Sequence, residues 1–146
     1  MRATYRVLAL LIAAGVVLQA VFIAIAWFQV LKDVDAGEVF DKNSGNWAHV
    51  AHGEVGMMVI PAIALIMLIL SFFAKIPGGV KWAAITLGLI VLQAGLAFAS
   101  RGLPALGSLH AVNAFAIAAV ASIAARKARQ AETAAPPAST EPVAAA

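Results

Sequence analysis

The stretch that decides the fold is VLALLIAAGVVLQAVFIAIAWFQV, residues 7–30, in which the only polar side chains are Gln19 and Gln29. About 20 consecutive apolar residues are enough for a helix to cross the hydrocarbon core of a bilayer. The segment is therefore predicted to be a membrane-spanning helix, tilted to fit the bilayer, with its bounds near Arg6 and Leu31.

The composition of the whole chain agrees with a membrane protein. Its 146 residues are 63% hydrophobic and 12% charged, whereas soluble domains are about half apolar and about a quarter charged. The absence of cysteine excludes disulfides, thiolate metal sites and cysteine nucleophiles. The net charge of +3 comes without a basic stripe interleaved with aromatic residues, so we expect no nucleic-acid partner.

Three more apolar segments follow, and with the first they predict an all-α transmembrane four-helix bundle with up-down topology. The predicted bounds of these helices are 47–74, 82–100 and 105–128. Ser44 or Asn46 is expected to cap the second helix, and Pro61 predicts a kink within it. The bundle is expected to form one domain over residues 1–130, followed by a disordered cytoplasmic tail over residues 131–146, which is rich in Ala, Pro, Ser and Thr.

The cations predict the orientation of the bundle. Seven lie at the two chain ends and in the connection between helices 2 and 3: Arg2, Arg6, Lys75, Lys81, Arg126, Lys127 and Arg129. The other side carries Lys32, Lys42 and Arg101, together with several acids. The positive-inside rule then predicts a multi-pass protein with both termini in the cytoplasm.

The two halves of the chain resemble each other. Helix 1 contains Val17-Leu18-Gln19-Ala20 and helix 3 contains Val91-Leu92-Gln93-Ala94. Each following helix has a histidine near its start, and we align His49 with His110. This pattern predicts two parallel repeats of one helical hairpin, related by an axis along the membrane normal.

Polar side chains inside a bilayer are costly and are candidates for function. His49 and His110 are predicted at similar depth on helices 2 and 4, which lie diagonally across an up-down bundle. The diagonal, roughly 11–14 Å for helices packed about 8–10 Å apart, suits two imidazoles on opposite faces of one haem. We therefore expect a single haem b with His49 and His110 as its iron ligands.

Other residues near these histidines fit a cofactor site. Gly53 and Gly56 share a face with His49 and would leave room for a flat macrocycle. Gln19 and Gln93 are expected to donate hydrogen bonds to propionates or to the second nitrogen of a ligand histidine. Arg101 is expected to pair with a propionate, and Asn113 completes the polar set.

The residues leave two alternatives. His52 lies on the same face as His49, so the two could bind Zn²⁺ or Cu²⁺ with Glu54 nearby, and His52 competes with His49 as the haem ligand. The third reading is a bundle without a cofactor, an accessory subunit or a lipid-binding protein, whose histidines are solvated at the interface. A homo-oligomer is compatible with each reading.

The motifs Leu-Gln in helices 1 and 3, His49 to Gly53 and Leu109 to Asn113 resemble those of an uncharacterised family of small four-helix bacterial membrane proteins, common in actinobacteria. The resemblance covers about residues 5–128. That family implies no activity.

The chain is more loosely similar to haem-bearing four-helix membrane bundles, namely each half of haem A synthase and b-type cytochromes of the b561 kind. This likeness implies His49 and His110 as axial ligands. The chain lacks the synthase's Glu-x-x-x-His-Arg signature and a second histidine pair, so the likeness implies one haem and electron transfer or haem handling. Quinone or a redox protein is then the expected partner.

Overall fold

The computed structural model describes residues 1–42 and 44–134 of the chain. Within these ranges, four helical segments are long and apolar enough to cross a membrane: Arg2–Asp35, Trp47–Ser71, Gly79–Ala99 and Leu106–Thr133. They are built from α1 (Arg2–Asp35), α2 (Trp47–Glu54), α3 (Ile60–Ser71), α4 (Gly79–Ala99) and α5 (Leu106–Thr133), with a π-helical turn (Val55–Val59) joining α2 to α3. The predicted all-α, four-span fold is confirmed, and the chain is a multi-pass membrane protein.

The first and last spans are longer than predicted. α1 starts at Arg2 and continues to Asp35, because Lys32 and the acids after it are compatible with a helix. Gly37, with φ +93°, lies in the turn that follows. α5 runs to Thr133, three residues past the predicted domain end. Contacts with α1 hold this extra turn: Arg2 donates to the carbonyl of Ala131 at 2.8 Å. The rest of the predicted tail, from residue 135, lies outside the described residues.

Asn46 forms the predicted cap of the second span. Its Oδ1 accepts hydrogen bonds from the backbone N–H groups of Ala48 and His49, at 3.1 and 3.2 Å. Its Nδ2 donates to the carbonyl of Ala26 on α1, at 2.9 Å. One side chain therefore both satisfies the free donors of α2 and fixes its start against α1.

The irregularity predicted at Pro61 lies slightly earlier in the chain, as the π-helical turn Val55–Val59. The N–H of Ile60 bonds to the carbonyl of Val55, five residues back, instead of the usual four. Pro61 then falls in the first turn of α3, where its missing N–H costs little.

The helices pack in the order expected of an up-down bundle. α1 packs against α2, α3 and α5, and α4 packs against α3 and α5. The second span and α5 therefore lie on one diagonal of the bundle, as predicted for the two histidine-bearing helices.

The buried core occupies one half of the bundle, the half that contains the start of α1 and the end of α5. Its members come from all four spans and include Tyr5, Ala9, Ile12, Ala64, Met67, Ala83, Ile117, Ala121 and Ala124. The small side chains on α5 allow its backbone to approach its neighbours closely. We call this half the basic end, after Arg6, Lys75, Lys81 and Arg126, and the half where α2 and α5 begin the histidine end.

Candidate functional site

The imidazole rings of His52 and His110 face each other across the bundle diagonal at the histidine end. Their ring centroids are 6.4 Å apart and their planes are inclined by 54°. Both side chains are half-buried. The structure thus brings together one histidine from each half of the chain.

A glutamine of the preceding helix holds each ring in the same way. Nδ1 of His52 lies 3.1 Å from the main-chain carbonyl oxygen of Gln19, and Nδ1 of His110 lies 3.1 Å from that of Gln93. A carbonyl oxygen only accepts hydrogen bonds, so it favours the tautomer that carries its proton on Nδ1. In that tautomer Nε2 keeps its lone pair and is the atom that can bind a metal.

The matching contacts support the predicted doubled hairpin and correct its alignment. The structural counterpart of His110 is His52, since each bonds to the glutamine of the shared Leu-Gln motif. We had aligned His49 with His110. Sequence spacing does not separate the two choices, because both His49 and His52 have a glycine four residues later.

The side chain of Gln19 enters the backbone of the second span. With its amide oriented to satisfy its neighbours, its nitrogen donates to the carbonyl of His52 at 2.9 Å and its oxygen accepts from the N–H of Gly56 at 3.0 Å. These two backbone groups would bond to each other in a regular α-helix. The amide bridges the broken bond at the start of the π-helical turn, and such turns are frequent at functional sites.

The same amide nitrogen lies 2.7 Å from Nδ1 of His52. An amide nitrogen only donates, so this contact favours the tautomer with the proton on Nε2, opposite to the choice favoured by the Gln19 carbonyl. Gln19 therefore provides a hydrogen-bond partner for either tautomer of His52. A metal bound to Nε2 would select the tautomer with the proton on Nδ1. The ring of His110 differs from that of His52, because its hydrogen-bond contact within the described residues is with the main-chain carbonyl of Gln93.

Asn113 fixes α5 to α4 beside His110. Its buried Nδ2 donates to the carbonyl of Leu89 at 2.9 Å and to Oε1 of Gln93 at 2.7 Å. The side chain of Gln93 thus serves helix packing, and its main chain holds the histidine. The expected donation from a glutamine amide to the second nitrogen of a histidine occurs between Gln19 and His52. For His110 the contact is instead with the main-chain carbonyl of Gln93.

His49 does not oppose His110, which corrects the predicted pairing. Its ring packs edge-on against Trp27, with centroids 5.4 Å apart, and near Phe40 at 6.4 Å. Its Nδ1 is buried without a hydrogen-bond partner among the described residues. His52 is three positions after His49, and the resulting rotation about α2 directs His52 toward His110 and His49 toward the aromatic residues.

The remaining predicted residues have different environments. Gly56 packs against Gln19, where an added Cβ would lie 3.6 Å from the nearest atom of the amide group, so its small size makes room for that side chain. Gly53 is exposed, and nothing lies within 4 Å of the place where its Cβ would be. Arg101 is exposed in the connection before α5, its guanidinium 5.9 Å from the ring of Phe98. Glu54 is exposed.

Larger metal-binding groups do not occur in the part of the chain that the structure describes. No cluster of three or more His, Cys, Asp or Glu side chains lies there in positions to hold a metal ion. The facing donors at the histidine end are the imidazoles of His52 and His110.

Comparison with known protein families matches part of the chain. Residues 39–100 match the model of a family of unknown function, DUF6220. The match agrees with the expected resemblance to an uncharacterised family and includes His52 and Gln93. Neither the curated proteins nor the solved structures contain a match to this chain.

Proposed function

We propose that this protein is a small membrane cytochrome that binds one b-type haem between His52 and His110. The observation that carries the proposal is the pair of facing rings, 6.4 Å apart, each held by the corresponding glutamine of one repeat. This assignment keeps the predicted cofactor and His110, and it takes His52 as the second ligand in place of His49.

The ring separation fits two ligands on opposite sides of one metal. With metal–nitrogen bonds of about 2 Å, and about 1.1 Å from each ring nitrogen to its centroid, opposed imidazoles have centroids about 6.2 Å apart. The observed separation of 6.4 Å matches this value. Ligand histidines almost always donate their second N–H to a carbonyl, carboxylate or water, and the carbonyls of Gln19 and Gln93 are in position to accept it.

The chain's own residues would position the ligands. The Gln19 carbonyl and amide hold His52, and Asn113 fixes the part of α5 that carries His110. Haem iron supplies a one-electron Fe³⁺/Fe²⁺ couple when bound, and ligation by two histidines leaves no vacant position for O₂. Arg101, exposed at the histidine end, is the cation we assign to a propionate.

The likeness to single-haem bundles and the distribution of charge give the proposal its cellular setting. We place the protein in the bacterial cytoplasmic membrane with its basic end and both termini in the cytoplasm, by the positive-inside rule. The histidine pair then lies near the extracytoplasmic face. A quinone or a redox protein at that face would exchange electrons with the haem.

Haem titration of the purified protein tests the proposal. The cofactor-free protein in mild detergent is titrated with haemin, and the Soret band is followed in the wild type and in His52→Ala, His110→Ala and His49→Ala. We expect saturation at one haem per chain in the wild type and in His49→Ala, with tight binding lost in the other two variants. Circular dichroism checks that each variant keeps its helices.

Three results would contradict the proposal. They are no specific haem binding by the folded wild-type protein, equal binding by all three variants, or selective loss in His49→Ala. Stoichiometric Zn²⁺ or Cu²⁺ retained by the wild type and lost in His49→Ala and His52→Ala would favour the divalent metal site instead.

A further inference from the structure

A groove between α1 and α5 lies at the basic end, on the lipid-facing side of the bundle. α1 contributes Arg6, Val7 and Leu10, and α5 contributes Ile123, Arg126 and Arg129 among its lining residues. The residues from α5 recur every three or four positions, so they form one face of that helix. The groove therefore has an apolar floor and a rim of three arginines.

Two of these arginines have no acidic partner among the residues that the structure describes. Arg126 and Arg129 are exposed, and neither forms an ion pair within residues 1–42 and 44–134. Arg6 is paired with Glu132 at 2.9 Å. The rim therefore keeps a net charge of +2, from three arginines and one glutamate.

Arg2 shows a different use of an arginine at the same end. Its guanidinium donates to the carbonyls of Ala74, Ala131 and Lys75, at 3.2, 2.8 and 3.3 Å. These bonds close the end of the bundle, so Arg2 is committed to the fold. Arg126 and Arg129 are not used in this way and remain available to an external anion.

The depth of the groove matches that of a lipid headgroup. Arg126 lies 16 residues after His110, about 24 Å along α5, so it is near the opposite edge of a hydrocarbon core about 30 Å thick. Leu10 and Ile123 lie about one turn deeper than the arginines. A molecule that fills the groove must therefore combine an anionic head at the interface with an apolar chain directed into the bilayer.

We propose that this groove is a binding site for one anionic glycerophospholipid. The phosphodiester lies between Arg126 and Arg129, whose guanidinium groups suit phosphate oxygens, and one acyl chain follows the apolar floor. A free inorganic anion would use the rim and leave the floor uncovered. A zwitterionic lipid would cover the apolar floor but would place the cationic group of its headgroup next to the arginines of the rim.

The test compares lipid binding by the full-length protein in two variants. Delipidated protein in mild detergent is titrated with dioleoyl phosphatidylglycerol or dioleoyl phosphatidylcholine, and bound lipid is counted by native mass spectrometry. Arg126→Gln/Arg129→Gln removes the free rim charges. Lys127→Gln is the matched control, because Lys127 is an exposed cation on the same turn that does not line the groove.

We expect the wild type and Lys127→Gln to bind one phosphatidylglycerol with clear preference over phosphatidylcholine. Because each arginine near an anionic headgroup contributes about fivefold, the double variant should lose about 30-fold in affinity for phosphatidylglycerol. Its affinity for phosphatidylcholine should stay the same. If the double variant does not fold, as judged by circular dichroism, Arg129→Gln alone should lose about fivefold.

Equal affinity of the folded wild type for the two lipids would overturn the proposal, as would an equal loss in Lys127→Gln, which would indicate a diffuse surface charge. Displacement of phosphatidylglycerol by an equal concentration of inorganic phosphate would also overturn it, because the site would then recognise the anion alone.

Discussion

The amide of Gln19 gives the sharpest test of how the second span is held. Gln19→Met keeps an unbranched side chain of similar length, which fits beside Gly56, but removes both hydrogen bonds to the broken backbone pair. Hydrogen bonds between membrane helices contribute about 0.6 kcal/mol on average and about 1.7 kcal/mol at most. Loss of two should therefore lower the free energy of unfolding by about 1–3 kcal/mol.

Reversible unfolding in mixed micelles with increasing dodecyl sulfate measures this change. Gln29→Met is the matched control, since Gln29 is an exposed glutamine of the same helix, and it should change stability by less than about 0.5 kcal/mol. The amide proton of Gly56 should exchange faster in Gln19→Met than in the control. If both variants unfold like the wild type, the amide does not support the π-helical turn and the reasoning fails.

Three further substitutions test contacts elsewhere in the bundle. Asn113→Leu removes the bonds to Leu89 and Gln93 and should destabilise the protein by about 1–3 kcal/mol in the same assay; wild-type stability would contradict a fixing role. Tyr5→Phe removes only the hydroxyl that donates to the carbonyl of Gly79 at 2.9 Å. The free energy of unfolding should fall by about 0.6–1.7 kcal/mol, and an unchanged value would show that this buried bond does not stabilise the fold. Gly78→Ala places a Cβ at φ +72° and should cost about 1–2 kcal/mol, seen as a lower midpoint of thermal unfolding; an unchanged midpoint would show that the turn relaxes.

Apolar segment length was enough to predict the four spans. The cap at Asn46 followed from local chemistry and occurs where expected, whereas α4 begins at Gly79, three residues before the predicted start at Trp82. The helix ends were less predictable because they depend on tertiary contacts. The last turn of α5, for example, is held by Arg2 and Arg6, which are more than 120 residues away in the chain.

The histidine pairing was not predictable from spacing. His49 and His52 are both near the start of α2, and both precede a glycine by four residues. Which ring enters the bundle depends on the rotation of α2, and that rotation is set by the Asn46 cap and by the π-helical turn. The π-helical turn itself is bridged by the amide of Gln19, which belongs to another helix, and no local sequence pattern shows such a contact. Gln19 and Gln93, singled out by their polarity, both contact the facing histidine rings.

Electron paramagnetic resonance of the ferric, haem-loaded protein tests the proposed pair of ligands most directly. The account predicts a low-spin signal, typical of two histidine ligands, in the wild type and in His49→Ala. His52→Ala and His110→Ala should each convert any retained haem to a high-spin form or lose it. A low-spin signal that persists in His52→Ala and disappears in His49→Ala would contradict the pairing of His52 with His110.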